Sequence, residues 1–371
     1  MPSPTTPFNA RAVALMRFVG ALATRPLRPP DPALSWTTAG FASCLVDIAE
    51  ELSAAPRHPD PAALPLAALA PSGNALAAID PQVPAMLACL EHQQAAAFPH
   101  DVGTFDAHLI GTWRILTCWQ QPHPIARCGW FHSAYATDAY PLPSIAPARR
   151  EVLQAAIGPT AEALVFLFCT LDRCRLQRDL LAAGCIPSVG LPAKNWATGE
   201  WLDLPPAAIA AYLIVELANI AEQTCRLGKR PGLWMHRVSR LATLLSPERS
   251  TSLSGFPTVV PPIFNRCTQT LDRDRERKAL DLYLRLPGQS VITKSDRAVL
   301  EAIAQLNPWI AEPHLALAAI ARSTGNEDEA IACARAAERH LWNWGTPWDK
   351  RFSWFEQVRT ALDATKVSTN Y

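Results

Sequence analysis

Two stretches decide how this chain folds: Phe105-Asp-Ala-His108-Leu-Ile-Gly-Thr-Trp-Arg-Ile-Leu116 and Arg127-Cys-Gly-Trp-Phe-His132-Ser-Ala-Tyr-Ala-Thr137. Apolar residues recur at helical spacing in both, and each stretch sets one histidine in an otherwise apolar face, 24 residues from the other. A buried imidazole needs a hydrogen-bond partner or a metal, because an unpaired one forfeits solvation worth about 1–3 kcal/mol. Two of them on consecutive helices mark a candidate site.

Outward from this pair the same periodicity persists. Ala, Leu, Arg and Glu dominate, and β-branched residues rarely alternate with polar ones, so the expected fold class is all-α. Helices are expected near 105–119, 124–136, 147–157, 159–178 and 206–227, which makes residues 86–245 the core domain. Lys194 to Trp201 reads as a turn or small hairpin reversing at Thr198-Gly199. Prolines crowd residues 25–85 and leave room only for short helices such as Ala42 to Ser53, so residues 1–85 are expected to form a helical wrap. Serines and prolines over 246–265 read as a linker.

Residues 266–371 read as paired helices. Leu317, Ala318, Ala330, Ala334 and Ala337, with a turn at Gly325-Asn326, follow a tetratricopeptide-like pattern, and Arg277 to Tyr283 gives a second half-match. His314 and Ala321 replace the large aromatics usual in the first helix of such a repeat. So few repeats seldom stand alone, so this region is expected to pack on the core. Trp342, Trp344, Trp348 and Trp354 read as the cap of the last helix or as an exposed aromatic surface, the cap being favoured.

Composition narrows the function classes. The 371 residues are 49% hydrophobic and 18% charged, with 34 prolines and a net charge of +1. No net field draws the chain to nucleic acid or to an acidic membrane surface. The longest uncharged apolar run, Ala207 to Val215, is far shorter than the roughly 20 residues that span a bilayer. Ten cysteines without zinc-site spacing read as reduced, buried thiols in a cytoplasmic protein. Arg11, Arg17, Arg25 and Arg28 precede the first acid, Asp31. That composition resembles an organellar transit peptide, although an amphipathic first helix accounts for it as well. Glycine-rich phosphate loops, GxSxG, HExxH and the dinucleotide fingerprint are all absent from the sequence.

The histidine stretches resemble the HD-domain superfamily, most nearly the guanosine-tetraphosphate hydrolase domains of the stringent response, over roughly residues 98 to 226. Gly103-Thr-Phe-Asp-Ala-His108 stands where that family has its first ligand histidine, and Gly129-Trp-Phe-His132-Ser133 where it has His-Asp. Ile157-Gly-Pro-Thr-Ala-Glu162-Ala-Leu-Val165 is similar to the Phe-Gly-x-x-Val-Ala-x-Leu-Val helix that follows. Leu213-Ile-Val-Glu-Leu-Ala-Asn219 is similar to the Ile-x-x-Leu-Ala-Asp helix that supplies the last ligand. The resemblance implies a helical metal site at His108, His132, Ser133 and Asn219. Here Ser133 and Asn219 replace aspartates, and Ala136 and Thr137 stand where the family has an acidic pair, so the ligand set has lost its carboxylates. Phe105 to Arg173 also resembles a group of HD-like proteins carrying Phe-His-Ser-x-Tyr-Gly-Thr, a resemblance that implies no activity. This chain has Phe131-His-Ser-Ala-Tyr-Ala-Thr137, with Ala136 in place of glycine.

The expectation is a degenerate HD-type metal-dependent enzyme acting on a small phosphorylated or polar metabolite through metal-bound water. His108, His132 and His100 are the expected ligands of iron, manganese or zinc; Ser133, Asn219 and Glu222 are the expected catalytic residues. Each has a plainer reading. His100 also fits an exposed loop, Glu222 also fits an ion pair with Arg226, and Tyr135 fits core as well as pocket. Asp138 and Asp172 are the nearest acids able to replace the lost carboxylates, with a helix-surface salt bridge the default for Asp172. The alternative function is a pseudoenzyme that binds a small-molecule ligand or docks a protein partner on the C-terminal helices. A third anionic group converging on the histidines favours the enzyme, and closure by Trp130, Phe131 and Tyr135 favours the scaffold.

Overall fold

The structure is a computed structural model that describes residues 32–37, 41–56, 76–92, 105–138, 143–223, 233–246, 249, 271–286 and 293–366. The basic N-terminal segment, His100 and nearly all of the expected linker over 246–265 lie outside the described residues. Within them the fold is all-α: fifteen α-helices and one two-stranded sheet.

The central element is the longest apolar helix of the core region. Its residues from Ala207 to Ala221 are almost all buried, as expected of a helix that is apolar on every side. Preceding it in the chain are α1 (Phe41–Val46), α2 (Ile48–Ala54), α3 (Val83–His92), α4 (Phe105–Cys118), α5 (His123–Phe131), α6 (Arg150–Ile157), α7 (Pro159–Thr170) and α8 (Arg173–Ala183). The central helix is then α9 (Pro206–Gln223), followed by α10 (Met235–Ala242). Helices α4, α5, α7, α10 and α2 all pack on α9. None of the described helices is long and apolar enough to cross a membrane.

Two expected helices end early, each for a local reason. The helix expected over 159–178 breaks at Leu171, whose extended backbone bridges to Asn195, and Asp172 restarts it by accepting the Arg175 amide at 3.0 Å. Asp172 is thus a helix cap rather than one end of a surface salt bridge. The helix expected over 124–136 stops at Phe131, with His132 as its C-cap and Ala136 in the left-handed region at φ 71°. The hairpin expected near 194–201 is present, pairing β1 (Leu191–Lys194) with β2 (Trp201–Leu204) in the register Leu191↔Leu204 and Lys194↔Trp201. Its turn holds the N-terminal segment: Glu200 accepts the Trp36 amide and the Ser35 hydroxyl, both at 2.6 Å.

The C-terminal helices are α11 (Arg273–Tyr283), α12 (Arg297–Leu306), α13 (Glu312–Ser323), α14 (Glu327–Trp344) and α15 (Trp354–Ala364), each packed on the next. Ala318, Ala321, Ala330, Ala334 and Ala337 are buried along the α13/α14 hairpin, where small side chains let two helices approach closely. The four tryptophans from Trp342 to Trp354 are buried, as a cap requires. One continuous apolar core joins this region to α4. The Trp119 indole donates to the Asn343 carbonyl at 3.0 Å, and a Cβ on Gly345 would lie 3.0 Å from the Cα of Ile115.

Candidate functional site

Helix α4 carries His108, the end of α5 carries His132, and α9 carries Tyr212, Glu216, Asn219 and Glu222 at helical spacing. The packing of α4 and α5 on α9 brings these groups together in an otherwise apolar interior. His108 and His132 are 4% and 3% exposed. Their rings meet edge-on with centroids 5.1 Å apart, and the two Nε2 atoms face each other at 3.3 Å.

The opposite nitrogen of each ring is tied back. His132 Nδ1 lies 2.8 Å from the Gly129 carbonyl oxygen, and His108 Nδ1 meets the Glu222 carboxylate. Carbonyl and carboxylate oxygens only accept, so both Nδ1 atoms carry protons and both Nε2 atoms direct lone pairs at each other. That contact is repulsive unless a cation lies between them, a shared proton or a metal ion. Two imidazole nitrogens bound at about 2.05 Å to one tetrahedral ion are about 3.3 Å apart, which is the separation found here. The tied-back nitrogens match the outer hydrogen bonds that orient metal-ligating histidines.

Asn219 supplies a third lone pair. Its amide nitrogen donates to Glu216 at 3.3 Å, while its Oδ1 is buried without a hydrogen-bond partner, a state that costs about 1–3 kcal/mol until a donor or cation arrives. Contacts on either side bracket its position. The His132 ring lies 5.3 Å from that of Phe168, which lies 5.7 Å from Tyr212, and His132 also meets His108, which meets Glu222. Asn219 sits on the same face of α9 between Tyr212 and Glu222. Glu216 is itself fixed by Arg173 at 3.2 Å and Gln177 at 2.9 Å. Arg173 also donates to Asp138 at 2.6 Å and lies 5.0 Å over Phe168. Burial works against the Arg173 charge, but Glu216 and Asp138 hold its pKa well above the ordinary value.

The other expected groups have definite places. Ser133 is buried in the turn after α5, one residue from His132. Asp138 is held by Arg173. Tyr135 is core rather than pocket: it donates to Glu162 at 2.8 Å, and burial together with that carboxylate drives its hydroxyl pKa up. Burial pushes the Glu222 carboxyl up, but the charge and hydrogen bond of His108, with the charges of Lys350 and Arg114, hold it below the usual range. Trp130, Phe131 and Tyr135 are all buried, Trp130 packing on Trp113 and Tyr135 on Phe166. Among the described residues no three His, Cys, Asp or Glu side chains converge as a metal site; the donor set here is two imidazoles and an amide oxygen.

The sequence reading missed Glu216, Arg173 and Gly111. Glu216 was visible as the first of three polar residues spaced three apart in an apolar helix, whereas Arg173 and Gly111 acquire meaning only from packing.

A family model described as a domain of unknown function (DUF6817) matches residues 89–173, which include His108, His132 and Arg173 but not α9. Comparison with curated proteins and with solved structures gives no match.

Proposed function

We propose that His108 and His132 hold a divalent transition metal, iron, manganese or zinc, in a degenerate HD-type site that acts on a small phosphorylated or polar metabolite. The observation behind this reading is the pair of Nε2 atoms facing at 3.3 Å with both Nδ1 atoms anchored. Asn219 Oδ1 and the Ser133 hydroxyl are the oxygen donors we assign to complete the shell, and two imidazoles with oxygen donors suit such metals better than magnesium or calcium. A bound divalent ion would supply Lewis acidity and bring the pKa of water toward neutrality. Among this chain's own groups, Glu222 orients His108, and Glu216 turns the Asn219 oxygen away from itself. The eight described cysteines, all unbridged, support a cytoplasmic setting.

The test is elemental analysis of untagged protein purified without chelator, beside the His108→Ala/His132→Ala variant. Near-stoichiometric metal lost in the variant is the expected result; no metal in the wild type after reconstitution with iron, manganese and zinc overturns it. Burial favours a second reading, since Ser133 and Asn219 are only 5% and 6% exposed and Trp130, Phe131 and Tyr135 are buried as well. In that reading the site is a pseudoenzyme pocket or structural centre, with the C-terminal helices available to a protein partner. Metal-loaded protein that turns over no nucleotide or phosphoester in a panel supports it.

A further inference from the structure

We infer that Glu222 is a positioning residue that acts through His108, and that Gly111 is the feature of α4 that admits it. This rests on the metal-site reading above and assigns to Glu222 neither ligation nor proton transfer to substrate.

The geometry carries the assignment. Glu222 meets Nδ1 of His108, the nitrogen on the far side of the ring from the Nε2 that faces His132. From there its charge cannot enter the space between the two Nε2 atoms; it fixes which nitrogen holds the proton and how the ring is turned. A divalent ion held by imidazoles, an amide and a hydroxyl meets no negative charge among its ligands, and Glu222 places one on the far side of the His108 ring. Histidine ligands with such a carboxylate behind them are better donors, and removing the outer partner typically costs about 10–100-fold in metal affinity.

Gly111 lies one turn along α4 from His108. A Cβ built there would come within 2.9 Å of Glu222 Cγ and 3.0 Å of its Oε1. The Glu222 side chain therefore passes close against α4 at Gly111 on its way to the histidine, and a larger residue at position 111 would have to displace it. His108 is nearly fully buried while the Glu222 side chain is 23% exposed, so the carboxylate enters from the edge of the α4/α9 seam. After His108 itself, Lys350 and Arg114 are the cations whose charges reach it there. Lys350 lies 4.7 Å over the Trp234 ring, and Arg114 donates to the Gly345 carbonyl at 3.3 Å.

The test compares Gly111→Ala, Glu222→Gln and Glu222→Ala in the full-length chain. Alanine favours a helix over glycine by about 1 kcal/mol, so Gly111→Ala moves Glu222 without endangering the fold, and a melting curve checks this. Two readouts are taken: zinc affinity by competition with a chromophoric chelator, and ring-nitrogen protonation of His108 from long-range 1H–15N spectra of chelator-treated protein. The wild type should show a proton on His108 Nδ1. Glu222→Ala and Gly111→Ala should each admit the Nε2-protonated form and weaken zinc about tenfold or more, with Glu222→Gln, which keeps an acceptor, in between. A wild-type His108 with a bare Nδ1, or variants whose ring-nitrogen shifts and zinc affinity match the wild type, would overturn the assignment. If the wild type binds none of iron, manganese and zinc, the metal reading fails on its own, and the ring-nitrogen spectra still decide the role of Glu222.

Discussion

The molecule holds two histidine pairs, and the contrast between them is instructive. His108 and His132 are 24 residues apart on neighbouring helices; His314 and His340 are 26 apart on α13 and α14. Ring centroids are 5.1 Å apart in the first pair and 5.5 Å in the second. By spacing and distance they are near equivalents. They differ in what holds the second nitrogen. The first pair meets edge-on at 79°, each Nδ1 anchored on an acceptor and the two Nε2 atoms aimed at one point. The second pair is stacked at 23°, and His340 Nδ1 is buried with no partner beside Trp309, Trp344 and Trp348. Stacked rings direct their nitrogens outward in their own planes and cannot share an ion between them. Anchoring and orientation, rather than proximity, separate a donor pair from a packing pair.

The largest expected effect exploits that contrast. His314→Ala/His340→Ala should retain the metal content of the wild type, while His108→Ala/His132→Ala should lose it entirely, both read by elemental analysis of protein purified in parallel. Equal loss in the two double variants would break the comparison and make metal retention a property of overall histidine content.

The first pair could be located in the sequence because both histidines interrupt apolar helical stretches, and the order of His108, His132 and Asn219 along the chain carried the rest of the site. Glu222 was found because it lies one turn from Asn219, but its main partner has no local cue: Arg226, four residues on, lies outside the described residues, and the structure joins Glu222 to a histidine 114 residues away. Long-range pairing of this kind has no local signature. The end of α5 was placed too late because Ala136 reads as a helix former, while the chain turns there with a positive φ. Helix α9 was legible throughout, since its apolar run admits only a buried helix at that length. That the C-terminal hairpins would lean on the core followed from their number, but that α4 would meet Gly345 did not, because close backbone approach leaves no pattern beyond the glycine itself.

The next effect is a pH dependence, and it belongs to the second pair. Burial, reinforced by the charges of His314 and Arg339, pushes His340 down from 6.5 to about 3, and burial lowers His314 as well. A histidine with a depressed folded pKa stays neutral in the native state while the unfolded chain takes up a proton below 6.5. Stability is therefore complete above that pH and falls as pH drops toward 3. At pH 4.5 the unfolded state gains roughly two pKa units of advantage at this residue, about 3 kcal/mol. His340→Leu removes the unpaired nitrogen, so its urea midpoint should fall less than that of the wild type between pH 7 and pH 4.5. Parallel loss in the two proteins would show that His340 is protonated and paired in solution, and the contrast between the histidine pairs would lose its electrostatic half.

The smallest effect concerns a left-handed turn in the scaffold of each pair. In the C-terminal hairpin the chain reverses at Gly325 with φ 75°, whereas after α5 it reverses at Ala136 with φ 71°. A Cβ at Gly325 would meet nothing within 4 Å, so Gly325→Ala should cost only the conformational penalty of the left-handed region, about 1 kcal/mol. The reverse change at Ala136 should stabilise by less, about 0.5 kcal/mol, because glycine gains freedom in the unfolded chain and the buried Ala136 methyl is lost from the core. Urea midpoints that move in opposite directions for the two variants would show that the strain lies beside His132 and Ser133 rather than in the hairpin. If Ala136→Gly destabilises instead, the methyl's packing outweighs the backbone strain, and Ala136 is there to close the apolar wall behind the histidines.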